Sequence, residues 1–120
     1  MKSSEKPTPK SATRIECYIP EVVDLQDYDI AFDWLCDEFA YAHGGCSSIT
    51  GIAGQYVSAS SLSMSDRITL VWCDLPWRWT TARERAEAIA YTAGLRDYLT
   101  AVLPHEEVIY VTLVPVFRVE

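Results

Sequence analysis

A chain of 120 residues with 49% hydrophobic and 22% charged side chains has the size and composition of one globular domain. Those values exclude a disordered body and a collagen-like repeat, and they allow a packed core without disulfide or metal staples. The net charge of −7 is unevenly spread, because Lys2, Lys6, Lys10 and Arg14 face only Glu5 in residues 1–14. The remainder is strongly acidic and repels a phosphate backbone, which argues against nucleic-acid binding.

Residues 1–13 combine prolines, lysines and Ser/Thr with almost nothing apolar, and read as a flexible lead-in to a single domain over 14–120. No apolar run reaches the ~18 residues that cross a bilayer, and the segment MKSSEKPTPKSATR lacks the apolar centre of a secretory signal. The expectation is a cytoplasmic protein with no membrane contact. Cys17, Cys36, Cys46 and Cys73 contain no C-x-x-C pair, and read as reduced thiols packed like small hydrophobes.

The first element is a strand over Arg14–Pro20, where Ile15, Cys17 and Ile19 alternate with Glu16 and Tyr18 and Pro20 stops the run. A helix follows over Tyr28–Ala42. Tyr28, Phe32, Leu35 and Phe39 share one face beside Cys36, and Asp24, Asp27 and Asp29 favour its N-terminal end. Gly44 and Gly45 end it. Cys46–Ser58 is a strand bent near Gly51 and Gly54, and Ser58–Asp66 reads as its polar connection.

Arg67–Asp74 is a strand apolar on both faces, Ile68, Leu70 and Trp72 against Thr69, Val71 and Cys73, as a central strand requires. After the aromatic connection Leu75-Pro-Trp-Arg-Trp79, the Thr81-x-x-Glu84 spacing of a capping box opens a second helix. Its stripe of Ala88, Tyr91, Leu95, Tyr98, Leu99 and Val102 faces a core, and Pro104 ends it. The last strand, Glu107–Val119, carries Pro115, which cannot donate to a ladder and so belongs at a sheet edge or a break.

The order β-α-β-β-α-β matches the split βαβ arrangement: α+β, a four-stranded antiparallel sheet with two helices on one face. Two helices cover one face of such a sheet. The residues left for the other, Val108, Tyr110, Thr112, Val114 and Val116 or their neighbours, are apolar in either register. Covering ~600 Å² at ~25 cal/mol per Å² would contribute about 15 kcal/mol before association costs. The expectation is therefore a homodimer through the open sheet face.

From about Arg14 to Glu120 the chain resembles the ferredoxin-like superfamily, including its dimeric α+β barrel members. It is also similar to a family of small bacterial proteins in which a helix with spaced aromatics precedes Gly-Gly and a Gly-x-aromatic strand, here Phe32 to Phe39, Gly44-Gly45 and Gly54-Gln55-Tyr56. The resemblance implies the fold and a tendency to pair, and it supplies no activity.

Candidate chemistry is sparse. Cys36, His43 and Cys46 would converge on a metal ion if the helix end and the following turn aligned them, with Cys17 or Cys73 as fourth ligand. The competing reading makes His43 a terminal-turn cap and the cysteines core residues. A Cys46 thiol activated by His43 would suit covalent chemistry, with no third group to orient it. Asp33 with Asp37, or Glu106 with Glu107, have the spacing of solvated faces. The glycines from Gly44 to Gly54 lack the lysine and helix N-terminus of a phosphate loop. Trp72, Trp77 and Trp79 with Arg78 form an anchor for a protein partner or flat ligand, or else fold over their own core. No cofactor is implied. The leading reading is a protein that works by homodimerisation and by binding a partner or small apolar ligand; the enzyme reading is a dimeric barrel around a small aromatic or polyketide-like substrate, with catalytic residues unassigned.

Overall fold

In the computed structural model, which describes residues 8–21, 25–57, 63–103 and 109–119, six elements follow one another: β1 (Lys10–Pro20), α1 (Leu25–His43), β2 (Ser47–Val57), β3 (Ser63–Leu75), α2 (Ala82–Val102) and β4 (Tyr110–Arg118). The strands form one antiparallel sheet in the order β2-β3-β1-β4. This is the expected α+β arrangement. β3 is central and β4 lies at an edge, where the missing N–H of Pro115 breaks no ladder.

The alternation read in β1 sorts its side chains. Thr13, Ile15, Cys17 and Ile19 are fully buried under the helices, while Arg14, Glu16 and Tyr18 point to the other face and are half-buried. Thr69, Val71, Cys73 and Leu75 of β3 join the buried side. From above, α1 supplies Ala31, Leu35 and Phe39, and α2 supplies Leu95 and Leu99. Val111 and Leu113 of β4 pack against the same cluster.

Three boundaries differ from the sequence reading. β1 starts at Lys10, inside the segment read as lead-in, because Lys10–Ala12 pair with Val116–Arg118 of β4; short polar residues give no alternation to reveal an edge-to-edge backbone ladder. β3 starts at Ser63, because Ser63–Asp66 pair with Gly54–Val57, and side-chain polarity does not advertise a backbone ladder. α1 begins at Leu25, three residues early. Its end is as expected: Gly44 and Gly45 take φ of 84° and 154°, and their N–H groups close on Ala40 O at 3.0 Å and Phe39 O at 3.2 Å. Pro104, Glu106, Glu107 and Val108 lie outside the described residues.

β2 bends where its glycines suggested. The register with β3 shifts between Ile49 and Ile52, and Gly51 adopts φ 72°. The Gly51 N–H donates to Glu21 Oε2, which also accepts from Thr69 Oγ1 at 3.1 Å, and Thr69 Oγ1 lies 2.7 Å from the Tyr28 hydroxyl. The bulge is thereby tied to the end of β1 and the start of α1.

Candidate functional site

The face of the sheet turned away from the helices is where the topology gathers exposed chemistry. Antiparallel register sets Glu16 of β1 opposite Trp72 of β3 on one side and Thr112 of β4 on the other. The next row pairs Tyr18 with Leu70 and Tyr110, and the row on the other side pairs Arg14 with Asp74 and Val114. Directly opposed side chains in such rows have Cβ atoms ~5 Å apart.

This face is not uniformly apolar. β3 and β4 contribute Leu70, Trp72, Val114 and the half-exposed Tyr110, as expected, but β1 brings Glu16 and Arg14 to its centre. Arg14 and Asp74 meet as a fork, Nε to Oδ1 at 2.7 Å and Nη2 to Oδ2 at 3.2 Å. That hydrogen bond is the main reason the Arg14 guanidinium holds its proton more tightly than usual. Glu16 is less engaged, since Thr112 Oγ1 and the Tyr18 hydroxyl approach its Oε1 at only 3.4 and 3.5 Å. The result is a carboxylate with spare acceptor capacity beside an indole and two phenols. Such a site attracts a compact organic cation carrying an aromatic group.

At the Lys10 end of the sheet, where its edge meets the end of α1, lies a groove of about 530 Å³, within the range of small-molecule sites. β1 begins there and β3 and β4 end there, which brings Lys10, Asp74 and Arg118 to its lining. The end of α1 adds Ala42 and His43, and the connection after β3 adds Pro76. Two cations and one carboxylate suit a ligand with an α-amino-acid terminus.

The four residues singled out around the tryptophans are not one patch. Trp72 lies on the open face, whereas Trp77 packs against the core on the helix side. There Trp77, His43 and Tyr91 meet edge to face, with ring centroids 5.1 to 6.0 Å apart. Trp77 O accepts from Thr13 Oγ1 at 2.7 Å, and Tyr91 donates to Glu38 at 2.9 Å. Trp79 is covered by Arg85, whose Cζ is 5.8 Å from the ring and whose Nη1 reaches Trp79 O at 2.9 Å. Arg78 pairs with Glu84 at 3.0 Å. The carboxylate of the capping-box spacing thus reaches back to the connection, and Thr81 makes no side-chain cap bond to the backbone.

Cys36, His43 and Cys46 likewise separate. Cys36 and Cys46 are neighbours, and burial first, then the nearby Cys46 thiol, push the Cys36 pKa up to about 12. His43 belongs to the Trp77 and Tyr91 rings. Its Nε2 is buried without a hydrogen-bond partner, and burial lowers its pKa. Among the described residues no group of three or more His, Cys, Asp or Glu side chains is placed to hold a metal ion. Burial raises Cys17 to about 12 and Cys73 to about 11, which keeps both as unreactive thiols. Asp33 and Asp37 are exposed, as a solvated face requires.

Glu16 escaped the sequence reading. Its signal was a lone acid on the outward side of an alternating strand, which resembles an ordinary wet face until β3 and β4 surround it with rings.

No family model matches the chain, and no curated protein matches it. Among solved structures it is similar to a phage SAM lyase in complex with S-methyl-5'-thioadenosine, at 9% identity and a TM-score of 0.57. The correspondence covers 97% of this chain and 95% of that one, so the fold is shared end to end. Among the described residues no helix is long and apolar enough to cross a membrane.

Proposed function

We propose that this protein binds S-adenosylmethionine on the open sheet face and releases S-methyl-5'-thioadenosine from it, acting as a self-associated cytoplasmic enzyme. The observation that carries this reading is the end-to-end likeness to the phage SAM lyase; the chemistry of the face supports it. Glu16 and Trp72 suit the sulfonium, the rings of Tyr18 and Tyr110 offer stacking surface for adenine, and Lys10, Arg118 and Asp74 suit the amino-acid terminus.

In the reaction the bond between sulfur and the four-carbon amino-acid arm breaks, and its electron pair passes to sulfur. The sulfonium becomes a neutral thioether, while a carboxylate oxygen of the arm bonds to the carbon that sulfur leaves, closing a five-membered lactone, so that both charges are neutralised and no second substrate is needed. Because cleavage discharges the sulfur, a carboxylate near it serves recognition, whereas apolar cover that strips water from the cation favours the step.

The test is calorimetry with S-adenosylmethionine and with S-methyl-5'-thioadenosine, plus mass spectrometry for the latter as product. Glu16→Gln should weaken binding of the cation at least tenfold and leave the neutral thioether almost unchanged. Failure of the protein to bind either compound, with no product formed, overturns the proposal. A second reading, a partner-binding homodimer without catalysis, is favoured by the exposed Tyr110 beside the half-buried Trp72, and predicts self-association with no nucleoside binding.

A further inference from the structure

The four cysteines, scattered in sequence, form a run of neighbours where the end of α1 meets the start of β2. Ser47 opens the β2–β3 ladder opposite Trp72, so Cys46, one residue earlier, comes in at the height of Cys73, the next position of β3. Cys73 belongs to the core cluster under the helices, and Cys36 of α1 packs against that cluster. Their titration registers the closeness, since Cys46 acts on both Cys36 and Cys73, and Cys73 acts on Cys17. All four are free thiols. Among the described residues no group of three or more is placed to hold a metal ion, so ligation does not account for the run.

One pair in this run suits a bond. A disulfide holds its Cβ atoms ~3.8 Å apart. Cys17 and Cys73 are diagonal neighbours, because Cys17 pairs with Val71 and Cys73 with Ile15, and diagonal positions stand ~7–8 Å apart. Cys73 is also only 4% exposed, with Sγ 3.8 Å from Asp74 O. Opposed positions on a ladder are held ~5 Å apart by the backbone, which is too wide for Cys46 to bridge to Cys73. Cys36 and Cys46 are under neither restraint. Cys46 precedes the first ladder pair and follows Gly44 and Gly45, at φ of 84° and 154°, with nothing within 4 Å of where their Cβ atoms would stand. That turn has room to bring its next residue onto α1, and its capping bonds to Ala40 O and Phe39 O fold the chain back along the helix toward Cys36. Access differs as well, Cys46 being exposed and Cys36 half-buried.

We infer that Cys36 and Cys46 are a redox pair, closed to a disulfide by a low-molecular-weight disulfide and reopened by a dithiol. The exposed Cys46 thiolate attacks one sulfur of the small disulfide, whose S–S bond breaks; one half leaves as a thiolate and the other stays on Cys46 as a mixed disulfide. Cys36 then gives its proton to solvent, and its sulfur bonds to Cys46 and displaces the second half. The two protein thiols lose two electrons and two protons between them, and the small disulfide gains them as two thiols. Cys36 is a poor first nucleophile, because burial and then Cys46 keep it protonated, with Asp33 and Asp37 adding to this. As second nucleophile it stands beside its target, and proximity replaces concentration. The bridge closes residues 36–46 into a ring that contains Ala42 and His43, which line the groove at the sheet end. Oxidation thereby stiffens one wall of that groove.

The test exposes the full chain to glutathione buffers of rising oxidised fraction, then maps its disulfides by peptide mass spectrometry. The wild type should lose two hydrogens and show one bridge, between the peptides of Cys36 and Cys46, with Cys17 and Cys73 still open to alkylation after unfolding. Hydrogen exchange of the Gly44 and Gly45 amides should slow severalfold on oxidation, and dithiothreitol should reverse both changes. Cys36→Ser should instead retain one glutathione on Cys46, and Cys46→Ser should take up none and show no change in exchange. A bridge from Cys46 to Cys73, a glutathione adduct that persists on wild-type Cys46, or no reaction at Cys46 overturns the proposal. No nucleoside enters these measurements, so failure of S-adenosylmethionine binding leaves the result standing.

Discussion

His43 is a neutral base held among rings, and that fixes how its titration affects the fold. Burial lowers its folded pKa below the ordinary imidazole value, with Glu38 opposing weakly. A depressed base binds fewer protons folded than unfolded, so its stability contribution is intact above about 6.5, the unfolded pKa, and is lost as pH falls through the folded value. The midpoint of thermal unfolding should therefore drop between pH 7 and pH 5, and His43→Gln should flatten that part of the profile. A slope unchanged by the substitution would locate the effect elsewhere. Trp77 is tested alongside it. Trp77→Ala removes the ring between His43 and Tyr91 and should cost about 3 kcal/mol of stability by denaturant titration, whereas Trp79→Ala, which loses mainly its Arg85 contact, should cost about 1 kcal/mol.

At the scale of elements, the β2 bulge invites a backbone test. A Cβ at Gly51 would lie 3.7 Å from Arg67 Nη1, which is ordinary contact, so space is not the obstacle. The φ of 72° is. Gly51→Ala should destabilise by about 1–2 kcal/mol through the left-handed conformation alone, and a smaller effect would mean that the bulge relocates. The elements themselves were legible where periodicity speaks. Ile15, Cys17 and Ile19 marked β1, Phe32, Leu35 and Phe39 marked α1, and the two apolar faces of Arg67–Asp74 with Pro115 downstream placed β3 inside and β4 outside. Ser63–Asp66 and Lys10–Ala12 were illegible because their strand character comes from a partner's backbone. The site was half legible. Trp72 stood out as a large ring, but nothing local tells that it faces Glu16 across a ladder, or that Trp77, five residues on, turns to the opposite layer against His43 and Tyr91. Those neighbourhoods arise from the strand order and the helix connections, and so does the distance between His43 and the Cys36–Cys46 pair.

For the molecule as a whole, charge and surface act against each other. Copies of a chain of net charge −7 that self-associate as proposed above meet against like-charge repulsion, which salt screens within ~10 Å at ~0.1 M. Raising ionic strength should tighten self-association in sedimentation, the reverse of what an interface built on ion pairs would do; loosening by salt would point to the Arg14–Asp74 pairs as the contact.

Pro115 sets a limit on how far such association can go. A fibre grows when each added molecule presents a templating border on both sides, so that every docking event regenerates a free end. Here the β4 border has one position with no hydrogen to offer, on the side of the sheet opposite β2. Growth by border addition therefore has a blocked direction. The exposed β2 border can then gain a strand without the opposite border propagating the addition into endless ribbons.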